Sequence, residues 1–130
     1  MGYTRYWVRT DKKIDADFVI AVCEIIADCD KKGIKIRNGH GEGNPIVTLD
    51  KIAINGDRQY DLDHETLYFD NEKDDFCFCK TARKPYDYAV RKILSYAQKN
   101  GFVRKVSSDG SNNTIISDEQ YLRYCGGNSR

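Results

Sequence analysis

A stretch of five residues, 80–84, concentrates enough charge to bind an anion. It supplies three cations and one hydroxyl group: Lys80, Thr81, Arg83 and Lys84. Pro85, a favoured first residue of a helix, follows directly, and a helix N-terminus attracts negative charge through its dipole and its outward-pointing N–H groups. Arg binds phosphate through two parallel hydrogen bonds, while Lys acts as a point charge. We therefore predict an anion site at residues 80–84, the 80–84 loop; the alternative is a solvated loop that only begins a helix.

A second group of residues could carry acid–base or nucleophilic chemistry beside this loop. His64 titrates near neutral pH and precedes Glu65, so the pair could bind a ligand or act as a general base; the alternative is the exposed start of a strand. Cys79 adjoins the 80–84 loop, where cations and a helix terminus lower the pKa of a thiol. Because residues 76–79 are apolar on both faces, buried packing is the favoured alternative for Cys79.

Aromatic, hydroxyl and glycine residues complete the candidates. Trp7 could stack a base or form part of a core. Two hydroxyls in the turn at residues 107–110 could meet the 80–84 loop if their strands are neighbours. The glycine-rich residues 39–43 lead to a strand rather than to a helix, which argues against a phosphate-binding loop. A plain turn is favoured here over a mobile loop that closes over a ligand. The predicted ligand-binding residues are Arg5, Trp7, His64, Lys80, Thr81, Arg83, Lys84, Ser107 and Ser108.

Composition limits the class of protein. The chain has 130 residues, with 21 Lys and Arg against 20 Asp and Glu, and its net charge of +1 argues against general nucleic-acid binding. No run of apolar residues is long enough to cross a membrane, and no signal peptide is visible. Five cysteines without a C-x-x-C pair, and only two histidines, predict no structural metal and no cofactor. We expect a reduced, cytoplasmic protein.

Hydrophobic periodicity predicts two helices and seven strands. Asp15 is a candidate N-cap of the first helix, which ends at Gly33. The second helix spans about residues 85–100 and ends in a cap at Gly101. The predicted strands are residues 3–9, 34–37, 46–49, 51–54, 64–69, 76–80 and 102–106.

The order of these elements predicts an α+β fold, with a mainly antiparallel β-sheet and two α-helices packed on one face. A doubly wound fold is disfavoured because strands and helices do not alternate. Residues 64–69 and 76–80 are predicted to form a hairpin. We expect a single domain over residues 1–125, including a weakly amphipathic piece at 117–124, and a flexible tail over 126–130.

Several motifs resemble a family of short, functionally uncharacterised proteins of bacteriophages and bacterial genomes. They are GYTRYW at residues 2–7, ING at 54–56, HET at 64–66, FCKTARKPYD at 78–87 and SSDG at 107–110. Family members usually carry His where this chain has Arg5, and this departure argues against an acid–base or metal role at that position. The resemblance implies a small accessory protein of a mobile element, which would act in the host cytoplasm, and a class that often antagonises host defence.

Three functions compete at this point. The leading hypothesis is a protein that binds an anionic, nucleotide-derived small molecule and so sequesters a defence signal. The second is a small enzyme acting on a nucleotide or a protein side chain, with His64, Glu65 and Cys79 as catalytic candidates. The third is an antagonist that docks onto a host protein complex through Trp7 and exposed tyrosines. Homo-oligomerisation is open in each case.

Overall fold

The structure is a computed structural model, and it describes residues 3–72 and 75–109. The predicted amphipathic piece at 117–124, the flexible tail and Cys125 lie outside these residues. The elements in chain order are β1 (Thr4–Arg9), α1 (Ala16–Lys31), β2 (Ile46–Val47), β3 (Lys51–Ile54), a short 3-10 helix (Arg58–Tyr60), β4 (Leu67–Asp70), β5 (Cys77–Lys80), α2 (Asp87–Lys99) and β6 (Val103–Ser108).

The α+β fold class is confirmed, but the described strands form two three-stranded antiparallel sheets rather than one. The first has the order β5-β1-β6 and the second β2-β3-β4. The predicted strand at 34–37 is reduced to a single bridge between Arg37 and Asn55. Its backbone turns instead into the glycine-rich residues that follow, so no continuous ladder forms.

The predicted hairpin between residues 64–69 and 76–80 is wrong. β4 pairs with β3, and β5 pairs with β1. Nevertheless the two segments meet at one point, because Glu65 N–H donates to the Lys80 carbonyl at 3.1 Å and the Glu65 carboxylate accepts from Lys80 N–H at 2.8 Å. A side-chain oxygen thus replaces the backbone acceptor that a hairpin would have supplied, and it links the two sheets.

The start of α1 and the ends of both helices carry local signals. The predicted N-cap of α1 is confirmed, since the Asp15 carboxylate accepts from Phe18 N–H at 2.9 Å. Gly33 (φ +80°) and Gly101 (φ +84°) follow the two helix ends in the left-handed region. The next residue donates its N–H back to the helix in each case, Ile34 to Cys29 and Phe102 to Ala97, both at 2.8 Å. This double cap directs a buried side chain from each exit into the core.

The core contains side chains from both helices and both sheets. Phe18 of α1 is central: its ring lies 4.4 Å from that of Phe102 and 5.7 Å from that of Phe69, measured between centroids. On the other side of Phe69, the Trp7 ring stacks nearly parallel to it at 5.8 Å. Within the described segments, no helix has the length and apolar character needed to cross a membrane.

Candidate functional site

The predicted anion position next to α2 is filled by a carboxylate of the chain itself. Arg5 donates from Nε to Asp87 Oδ1 at 2.7 Å and from Nη2 to Oδ2 at 3.0 Å. Thr81 Oγ1 donates to the same Oδ1 at 2.8 Å. Arg5 is 8% exposed, and Asp87 and Thr81 are fully buried. The prediction that Arg5 and Thr81 contact a ligand is therefore wrong: both satisfy a buried carboxylate instead.

The backbone of the 80–84 loop faces inward. The N–H groups of Thr81 and Ala82 both donate to the Tyr3 carbonyl, at 2.9 and 3.2 Å, and Lys84 N–H donates to the Thr81 carbonyl at 3.0 Å. Pro85 and the first residues of α2 are buried. The expected anion cradle of outward-pointing N–H groups is therefore absent from this helix start, and only side chains of the loop can reach a ligand.

Two consecutive residues of the loop have strained backbone conformations. Ala82 has φ +53° and Arg83 has φ +55°, in the left-handed region where residues with a Cβ atom are disfavoured by about 1–2 kcal/mol each. Such strain persists only where the surrounding structure holds it, and it concentrates at functional sites. Here the buried Thr81–Asp87 contact on one side and α2 on the other hold the loop.

The three cations of the loop project to different places. The Arg83 guanidinium lies over the Tyr3 ring, 4.2 Å from its centroid. Lys84 Nζ donates to the Asp61 carbonyl at 2.8 Å, which ties the loop to the segment after the 3-10 helix. Lys80 belongs to β5 and is exposed. Arg83, half-buried and stacked on an aromatic ring, is the most rigidly presented of the three.

The catalytic candidates do not form a reactive constellation. Cys79 is fully buried, and its Sγ lies 3.5 Å from the Glu65 carbonyl. Burial, followed by the negative charges of Glu65 and Asp87, raises the pKa of the Cys79 thiol to about 12. The prediction of a lowered pKa is wrong, and the thiol stays protonated near neutral pH. The favoured alternative for Cys79, buried packing, is confirmed.

Glu65 is held in a structural role. Besides the contact of its carboxylate with Lys80 N–H, its carbonyl accepts a short hydrogen bond from the Tyr86 hydroxyl. Burial, followed by the charges around Cys79 and Asp87, raises the pKa of that hydroxyl. The Tyr86 hydroxyl therefore remains a donor at any physiological pH and fixes the Glu65 backbone. Glu65 thus links the segment before β4 in the second sheet to β5 in the first.

His64 is exposed, and an asparagine that sequence analysis passed over fixes its backbone. Asn55 Oδ1 accepts from His64 N–H at 3.0 Å, and Asn55 Nδ2 donates to the His64 carbonyl at 3.0 Å. The same amide contacts the Gly39 carbonyl at 3.2 Å and Gly56 N–H at 2.7 Å. Asn55 thus joins three loops. The Asn-Gly pair at 55–56, part of the ING motif, was the signal available in the sequence.

Trp7 lies in the core and is 2% exposed. Its predicted roles in stacking a base or docking onto a host protein are therefore wrong. Ser107 and Ser108 pair with Tyr6 and Arg5, respectively, on the β6 side of β1. Because β1 separates β6 from β5, these hydroxyls do not adjoin the 80–84 loop.

A cluster of exposed aromatic rings was also missed. Phe76 is 58% and Phe78 51% exposed. The Tyr6 ring stacks on Phe76 at 6.0 Å, and the rings of Phe76 and Phe78 are 6.4 Å apart. In β5 the cysteines face inward and the phenylalanine faces out, an alternation that the sequence already shows.

Two open clefts lie away from the loop. One, of about 550 Å³, runs between α1 and α2 and is lined by Ile25, Tyr96 and charged residues. The other, of about 520 Å³, lies between the glycine-rich residues and the 3-10 helix. Thr66 Oγ1 donates to the Gly39 carbonyl at 2.6 Å, so the glycine-rich loop is fixed to β4, in line with its interpretation as a turn.

No protein-family model, curated protein or solved structure matches the chain. Within residues 3–72 and 75–109, no cluster of three or more His, Cys, Asp or Glu side chains could hold a metal ion. The strongest functional feature among the described residues is therefore the strained loop that presents Arg83.

Proposed function

We propose that the protein binds an anionic, nucleotide-derived small molecule through the cationic side chains of the 80–84 loop. The observation that carries this proposal is the pair of left-handed residues, Ala82 and Arg83, which holds the Arg83 guanidinium against Tyr3. A loop that only connected β5 to α2 could use glycine at these positions and avoid the strain. Two non-glycine residues with this conformation support a role for the loop beyond connection.

The buried network behind the loop supports the same proposal. Asp87 absorbs the charge of Arg5 and the hydroxyl of Thr81, so the rigid frame is neutral. The cations of the loop that reach solvent are Arg83, which is half-buried, and Lys80, which is exposed at the end of β5. A guanidinium held in one orientation loses less entropy when it binds a phosphate, which increases affinity.

In a mobile element, the setting implied by the resemblance in the sequence, such a protein would remove a nucleotide signal from the host. Binding without turnover is favoured over catalysis because the Cys79 thiol is buried and protonated and the Glu65 carboxylate bonds to the backbone. His64 is the remaining exposed candidate, and no described side chain orients it.

The test is calorimetric titration of the purified protein with inorganic pyrophosphate, ribose 5-phosphate and nucleoside mono-, di- and cyclic phosphates. We expect at least one of these compounds to bind, and Arg83→Ala to weaken it tenfold or more, a loss of about 1.4 kcal/mol. Arg58→Ala is the matched control, since Arg58 is an exposed arginine on the other sheet's side. Equal affinity in Arg83→Ala and the parent, or no binding of any phosphate compound, would refute the proposal.

A further inference from the structure

The outer surface of the first sheet carries a continuous aromatic patch. Tyr6 and Phe78 are directly paired across β1 and β5, so their side chains point to the same face, and the Phe76 ring contacts both. We call Tyr6, Phe76 and Phe78 the aromatic face. Their partners on the opposite face of the sheet, Arg5, Trp7 and Cys79, are buried.

Contiguity distinguishes this patch from ordinary surface rings. Single exposed apolar side chains are common on soluble proteins, but adjoining ones mark contact sites. The second sheet offers a comparison, because its one exposed ring among the described strand residues is Tyr68 of β4, which is 49% exposed. On the first sheet the Phe76 ring contacts those of Tyr6 and Phe78, and the two phenylalanines have no polar group to bond to water.

Positive charge borders the aromatic face on both sides. Lys80 lies two residues beyond Phe78 on the same face, about 7 Å along the strand. Arg104 pairs with Val8 on that face and is exposed. The nearby Asp109 carboxylate accepts from the Tyr6 hydroxyl at 2.8 Å and from Thr4 N–H at 3.1 Å, so it holds the ring in place. An aromatic surface between cations complements a ligand with a flat π-system and an anionic group.

We infer that the aromatic face stacks the nucleobase of the ligand whose phosphate is bound beside it by Lys80, the residue of the 80–84 loop that lies on the same face. This inference rests on the proposed function and narrows its ligand to a nucleoside phosphate. Base stacking on exposed aromatic side chains of an antiparallel sheet is tolerant of base identity, because every base has a π-face. The spacing of about two residues between the rings and Lys80 matches the separation of base and 5′-phosphate across one sugar.

The experiment compares nucleoside 5′-monophosphates with ribose 5-phosphate in parallel titrations of the parent, Phe78→Ala and Tyr68→Ala. We expect the parent to bind at least one of AMP, GMP, CMP and UMP tenfold or more tightly than ribose 5-phosphate. Phe78→Ala should weaken binding of that nucleotide about tenfold and leave the affinity for ribose 5-phosphate unchanged. Tyr68→Ala removes an equally exposed ring on the other sheet and should change neither. Phe76→Ser is a second variant of the aromatic face, with the same expected result. Saturation-transfer NMR of the parent should show contact at the base protons of the nucleotide.

The outcomes separate the two proposals. Equal affinity for nucleotides and ribose 5-phosphate, unaffected by Phe78→Ala, would overturn the aromatic face as a base site and leave the anion site standing. No binding of any phosphate compound would overturn both. A dimer in sedimentation experiments that dissociates in Phe78→Ala, together with the absence of nucleotide preference, would show that the face binds a second copy instead.

Discussion

Two buried polar side chains, Asp87 and Asn55, hold the loops of the two halves of the molecule in different ways. Asp87 is a charge, compensated by Arg5 82 residues away in the chain and by the Thr81 hydroxyl. Asn55 is a neutral amide that bonds mainly to backbone groups of Gly39, Gly56 and His64. The loop beside Asp87 is strained at two non-glycine residues, whereas the loops around Asn55 use glycine where the chain is tight.

The comparison indicates where the molecule tolerates change. At Gly56 an added Cβ would lie 1.9 Å from the Leu62 carbonyl oxygen, so the second sheet's turns are packed around the backbone itself. In the 80–84 loop the same tightness is achieved by side chains, through a carboxylate and a guanidinium. The charged frame, formed by Arg5 and Asp87, is sensitive to loss of either partner. The neutral frame, formed by the Asn55 amide, can lose its donor or its acceptor separately.

The largest predicted effect is at the charged frame. Asp87→Ala leaves the Arg5 guanidinium buried without its carboxylate and should reduce the free energy of unfolding by about 3–5 kcal/mol. Urea denaturation measures this. Asp30→Ala, which removes an exposed ion pair with Lys35, should cost less than about 1 kcal/mol. If Asp87→Ala were no worse than this control, the pair would not hold the loop. Replacing both Arg5 and Asp87 by Leu should recover much of the loss.

The neutral frame should respond less strongly. Asn55→Asp keeps the acceptor for Gly56 and His64 N–H groups but replaces the Nδ2 donor by an oxygen that faces two carbonyls. We expect a loss of about 2–3 kcal/mol, from unsatisfied and repelling groups. Amide hydrogen exchange should accelerate in residues 39–43 and 62–66 and stay unchanged in the 80–84 loop. Equal acceleration in both loops would mean that the two frames are one cooperative unit.

Relief of strain should have an opposite sign. Ala82→Gly removes a Cβ atom at φ +53°. The relief of backbone strain should exceed the entropy cost of glycine, so we expect a net stabilisation of about 1 kcal/mol. Gly33→Ala, at φ +80°, should destabilise it by a similar amount. The thermal midpoint reports both. Ala82→Gly should also weaken phosphate binding because Arg83 is less firmly held; a variant that is more stable and binds equally well would disconnect strain from function.

The last effect is negligible near neutral pH and develops only at alkaline pH. Since the pKa of the folded Cys79 thiol is raised to about 12 against an ordinary value of 9.0, the thiol stabilises the fold fully below pH 9. Between pH 9 and about 12 the unfolded state loses this proton first, so stability falls as pH rises. Cys79→Ala should flatten this decline in urea titrations at several pH values. Rapid alkylation of Cys79 by iodoacetamide at pH 7 would contradict the burial and revive a nucleophilic role.

Local features of the fold could be predicted from the sequence, and long-range ones could not. The Asp15 cap and the glycines after both helices act within one turn of the chain, so their effect is visible in a few residues. The first strand was also predicted, over residues 3–9, because its composition suits a pleated, half-buried surface. By contrast, the partner of β5 is β1, more than seventy residues earlier, and no local pattern states which strands pair.

The candidate site divides in the same way. The charge of the 80–84 loop is visible in the sequence, but the pairing of Arg5 with Asp87 depends on β1 passing under the start of α2. An arginine and a threonine can bind an external anion or an internal carboxylate equally well. Residue type alone therefore does not say which of the two they contact. The exposure of Phe76 and Phe78 likewise depends on β5 lying at the edge of a sheet with one face open.

The pairing of β1 also has a consequence during synthesis, because β1 is made well before both of its partner strands. Arg9 lies opposite Val103, and both neighbours of β1 belong to the second half of the described chain. At ribosomal speeds of about 5–20 residues per second, the first strand waits on the order of ten seconds before its last partner is made. During that interval Trp7 has no core to enter, while β2, β3 and β4, which lie close together in the chain, can already pair. The nascent N-terminal segment is therefore the part of this protein for which we expect a chaperone to compete.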